Sequence, residues 1–98
     1  MVMPGKLYFG LRAQAVDCLI GDMSVGGARV RVKPGTVVLD DLYLVHLREW
    51  TAYEVRVAWR RPDGNLGLQF KRSRDLEGAV APELRVMREY CVAYDNLT

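Results

Sequence analysis

The residues with most chemical content in this 98-residue chain stand together: Asp22-Met23-Ser24-Val25-Gly26-Gly27, followed at once by Ala28-Arg29-Val30-Arg31. An ionised carboxylate accepts hydrogen bonds, a serine hydroxyl donates and accepts, and glycines let a ligand approach the backbone. Arginine adds a planar fork of donors that fits both phosphate and the guanine edge. Asp22, Ser24, Gly26, Gly27, Arg29 and Arg31 therefore form a candidate guanine and phosphate reader. The same residues also suit a plain turn, because Asp and Ser side chains bond nearby N–H groups and Gly accepts positive φ. Both readings stand at this point.

Catalytic constellations are scarce elsewhere. His46 is the sole histidine and sits inside an apolar run, so a Ser/His or Cys/His nucleophile would depend on it alone, and a structural role is expected. Cys18 and Cys91 lie 73 positions apart, a spacing that is neither a disulfide framework nor a metal knuckle. Gly21-Asp22-Met23-Ser24 lacks the glycine two residues before serine that a nucleophile elbow requires. No phosphate loop or dinucleotide fingerprint occurs. The reading is of a non-enzyme with neither cofactor nor metal.

Composition agrees with a small folded protein. Half the residues are apolar, 27% are charged, and the formal net charge is +2. That total carries no message of DNA, RNA or membrane attraction. Eleven of the fourteen basic residues are Arg, a bias that either phosphate recognition or genome composition would produce. No apolar stretch approaches the roughly 20 residues of a membrane helix, and residues 1–10 do not look like a cleavable signal. A cytoplasmic location without membrane insertion is expected.

The elements that must position the motif follow from periodicity. Residues 28–33 alternate Ala28, Val30 and Val32 with Arg29, Arg31 and Lys33, so one face is core and the other basic. Residues 53–60 place Tyr53, Val55, Val57 and Trp59 inward, with Glu54, Arg56, Ala58 and Arg60 outward. Residues 66–71 repeat the pattern after the turn Arg61-Pro62-Asp63-Gly64-Asn65, a hairpin signature. Residues 6–9, 14–20, 36–39 and 42–48 are further expected strands. In the tail, Val80, Leu84, Met87, Cys91 and Tyr94 recur at helical spacing, with Pro82 in the first turn. The expected architecture is mainly all-β: a small antiparallel barrel of about six strands, covered by one amphipathic C-terminal helix. A single domain over 1–98 is predicted, with barrel about 6–71 and helix about 80–94.

Asp22-x-Ser24-x-x-Gly27 followed by Ala-Arg-Val-Arg-Val resembles the second signature of PilZ domains, bacterial receptors of cyclic di-GMP. Tyr53-Glu-Val-Arg-Val-Ala-Trp-Arg-Arg, a short turn, and Leu66-Gly-Leu-Gln-Phe70 look like the closing strands of that family. The resemblance spans roughly residues 13–71. It implies a six-stranded antiparallel barrel with a flanking C-terminal helix and a signal-transduction role. It further implies that the Asp and Ser bond the base edge, while an upstream R-x-x-x-R pair grips phosphate and stacks on guanine. That first signature is missing, since only Lys6 and Arg12 are basic before Asp22. Arg56-Val-Ala-Trp-Arg60 matches the string but lies downstream, inside a strand, and does not inherit the role.

Two functions follow. One is a cyclic di-GMP receptor using Asp22, Ser24, Gly26 and Gly27, with Arg12, Arg29 and Arg31 as candidate phosphate partners, at an affinity lowered by the missing pair. The other is a degenerate barrel that binds no nucleotide and docks to an unidentified protein in motility, pilus or exopolysaccharide regulation. Its surface would be Arg29, Arg31, Arg56 and Arg60, or the helix face with Arg85, Arg88, Glu83 and Glu89. Tyr43, Trp50 and Tyr53 read either as core or as exposed aromatics for a base or a partner.

Overall fold

The computed structural model describes residues 1–10 and 14–97. Six antiparallel strands are followed by a short 3-10 turn at Pro82–Leu84 and a helix. The strands are β1 (Met3–Phe9), β2 (Gln14–Met23), β3 (Gly27–Arg31), β4 (Asp41–His46), β5 (Thr51–Arg60) and β6 (Asn65–Asp75), and the helix is α1 (Arg85–Leu97). They close in the order β1-β2-β3-β6-β5-β4, with β4 returning to β1. Closure leaves no unpaired sheet edge, which is how so small an all-β unit avoids edge-to-edge pairing.

Two apolar clusters hold this arrangement. The barrel interior is filled by alternate residues of each strand, among them Leu7, Ile20, Val30, Leu44, Val55, Leu66 and Leu68. The second cluster lies outside the barrel wall, where Tyr8, Val45, Leu47, Ala52 and Leu76 meet Leu84, Met87 and Cys91. Neighbouring residues of β1 and β4 are therefore buried on both faces, as strands are when a helix covers one side. Met87 is fully buried, and cutting it to Ala would cost about 2–5 kcal/mol and loosen the helix.

The segment 36–39 is not a strand, contrary to expectation. Val38 is buried against the barrel interior, and its carbonyl accepts the Arg60 guanidinium instead of a strand partner. Thr36 folds back on Lys33 through both its N–H and its hydroxyl. The segment is a plug, held by Val38 in the core and by Arg60 at the Val38 carbonyl. His46 is structural: it is buried, its Nδ1 accepts the Glu49 N–H at 3.3 Å, and its Nε2 faces Glu49 Oε1 at 3.8 Å.

Candidate functional site

An unbroken β2 would place Ile20 and Asp22 on the same face, because strand side chains alternate. The register shifts between them: Ile20 pairs with Val30, whereas Asp22 pairs with Arg29, and Gly21 is the extra residue. The bulge leaves Ile20 in the core and turns Asp22 outward beside Arg29. A second bulge acts on β5. Val57 pairs with Leu68 and Trp59 with Gly67, so Ala58 is extra and Trp59 turns outward. The expected inward placement of Trp59 is thereby corrected; the indole is 39% exposed.

Together the bulges build one outer row across four strands, Asp22, Arg29, Gly67 and Trp59. Arg29 Nη2 stands 2.9 Å from Asp22 Oδ2. Gly67 has no side chain because Trp59 occupies the space: a Cβ there would lie 2.1 Å from the indole Nε1. On one side of this row Gly27 and Arg56 flank Gln69, and on the other Leu19, Arg31 and Asn65 are aligned.

The turn itself is closed by the Ser24 N–H, which donates to Gly27 O at 2.9 Å, and docked on β6 by the Phe70 N–H, which donates to Gly26 O at 2.9 Å. Ser24 Oγ lies 3.5 Å from that same Gly27 carbonyl, a contact long enough to leave the hydroxyl open to a better partner. Gly27 is required sterically, since a Cβ would stand 2.2 Å from Leu68 O. Gly26 has open space around it and contributes its carbonyl.

The arginines separate into committed and available ones. Arg56 donates to Gln69 Oε1 at 2.6 Å, and Arg60 is tied to Val38 O and Asp40, so Arg60 serves the plug. Arg31 has no carboxylate within ion-pair distance among the described residues. It lies with Arg29, Gly21 and Arg61 around a hollow of about 290 Å³, adjoining a second of about 280 Å³ between Asp22, Ser24, Gly27 and Trp59. Besides Asp22, the acid whose charge Arg31 and Arg61 feel is Asp63 in the hairpin turn. Its carboxyl is held below its ordinary value first by hydrogen bonds with Asn65, then by the charges of Arg31 and Arg61.

Of the residues picked from sequence, Asp22, Ser24, Gly27, Arg29 and Arg31 share this surface, and Arg12 lies outside the described residues. Trp59, Arg61 and Gly67 were not foreseen. Gly21 inside a strand was a usable sign of a bulge, whereas nothing in Ala58 announced one. Tyr53 stacks on Phe70 with centroids 4.4 Å apart, and the Trp50 indole N–H donates to Asp95 at 3.0 Å, so both serve the fold.

Among the described residues no three His, Cys, Asp or Glu side chains are grouped to hold a metal ion. The arrangement can hold a flat polar anion on its outside: a carboxylate and hydroxyl for a base edge, arginines for phosphate, and an indole within the same row. Fold and surface thus define a small closed β-barrel with a polar, arginine-bearing outer face. The family model of the PilZ domain matches residues 2–81, and the chain belongs to that family, whose members are non-catalytic receptor modules. No curated protein and no solved structure matches it.

Proposed function

We propose that this chain is a cyclic di-GMP receptor domain of reduced affinity, acting in the cytoplasm as one PilZ-like unit. The observation that carries the reading is the β2 bulge at Gly21, which sets Asp22 and Arg29 side by side on the outer wall next to the open Ser24 hydroxyl. Asp22 and Ser24 take the guanine edge, Gly27 seats the turn tightly against β6, and Arg29 and Arg31 face the phosphates. Arg12 is a further candidate for them. Losing two charge-assisted bonds of the first signature costs about 3–6 kcal/mol, a weakening of very roughly a hundredfold to ten-thousandfold.

Isothermal titration of the purified chain tests this. Saturable heat with cyclic di-GMP supports the receptor. Absence of heat at a concentration on the order of a few hundred micromolar would leave the protein-docking adaptor instead. That second reading draws on Val25, which stands fully exposed at the tip of the same turn. Among the described residues no helix is long and apolar enough to cross a membrane.

A further inference from the structure

We infer that Arg61, set over the Trp59 ring, is the cation that stacks on a ligand base and contacts its phosphate at the outer face. The inference rests on the cyclic di-GMP reading above and adds the residue that completes it.

The argument begins at Gly67. With no Cβ in the way, the Trp59 indole lies directly on the β6 backbone. The Arg61 Cζ then sits 4.8 Å from the indole centroid, a cation–π contact that orients the guanidinium. Its main chain is fixed too, because the Arg61 N–H donates to Asn65 O at 3.0 Å and the Gly64 N–H to Arg61 O at 3.2 Å. Gly67, Trp59 and Arg61 thus stand in sequence of contact, with the Arg61 cation exposed.

Arg61 is also chemically available. Lys6, Arg29, Arg60, Lys71, Arg72 and Arg74 each have a carboxylate partner, whereas Arg61 has none within ion-pair distance among the described residues. A guanidinium presents a face that stacks on a base and an edge that bonds phosphate, and a lysine ammonium has no such plane. Arg61 shares its hollow with Arg29 and Arg31, so three guanidinium groups line it together. A dinucleotide with flat purines and two phosphodiesters matches both demands. Trp59 acts through Arg61 and is a positioning residue.

The test is calorimetric titration of cyclic di-GMP into the full chain, with Arg61→Ala, Arg61→Lys and Trp59→Ala. The variant Glu77→Gln, at an exposed residue just after β6, serves as the control, and amide spectra show that each variant is folded. Both Arg61 variants are expected to weaken binding about tenfold or more, and Glu77→Gln to change nothing. In the wild type the Arg61 Nε–H resonance should shift on binding, and Trp59→Ala should abolish that shift. Wild-type binding with Arg61→Ala and Arg61→Lys both within twofold overturns this inference alone. No wild-type binding overturns it together with the receptor reading.

Discussion

Asp22 and Arg29 form an ion pair of 2.9 Å that exists because Gly21 bulges out of register. The carboxylate that a guanine edge would seek is therefore already engaged. A ligand must share it with Arg29 or displace that guanidinium toward phosphate. Both side chains are more than half exposed, so water screens the pair and it adds little to folding.

Substitution should separate the two roles. Asp22→Asn and Arg29→Ala are expected to change unfolding stability by less than about 1 kcal/mol. Each should weaken cyclic di-GMP binding by about tenfold or more. Urea melts and calorimetry check this, and a large stability loss would mark the pair as architectural.

Gly67 offers a sharper steric test. Glycine to alanine inside a strand ordinarily gains a few tenths of a kcal/mol or more through the unfolded chain. Here the new Cβ would lie 2.1 Å from the Trp59 indole, so the ring must leave its seat. Gly67→Ala should lose about 1–3 kcal/mol and shift tryptophan emission to the red. An equally stable or more stable variant would show that Trp59 does not rest there.

Acid should act through Glu54. Its carboxylate accepts from Arg72 Nε at 2.8 Å and Arg74 Nη1 at 3.3 Å, and the Arg72 bond above all holds it below its ordinary 4.5. A carboxyl depressed in the folded state adds stability that is complete above the unfolded value and vanishes as pH falls through the folded one. Glu54→Gln should cost up to about 1 kcal/mol at neutral pH. That gap should close as pH drops below 4.5, which melts across a pH series would follow.

Burial should silence both thiols. Cys18 is pushed up to about 12 and Cys91 to about 11, chiefly by desolvation, with Asp17 and Asp95 adding to it. Neither should react with a disulfide reagent at mildly alkaline pH until denaturant is added. Rapid labelling of the native chain would mean that the barrel or the helix contact is open.

Much of this was legible in the residues. Alternation of Val30 with Arg29 and Arg31, the hairpin chemistry of residues 61–65, and the spacing of Leu84, Met87 and Cys91 each reflect a single element facing a single core. The failures came where parity breaks. Simple alternation put Trp59 inside, and the extra residue at Ala58 turned it out. Residues 36–39 have strand-like composition but answer to Arg60 rather than to a neighbouring strand. Arg61 read only as the start of a turn, because its value depends on an indole from β5 and a missing side chain on β6.

An amide NMR titration with cyclic di-GMP tests the central claim most directly. The expected result is saturable shifts confined to residues 21–31, 58–61 and 67, which hold the Gly21 and Ala58 bulges and the outer row. An unchanged spectrum, or shifts on α1 with the outer row silent, would contradict it.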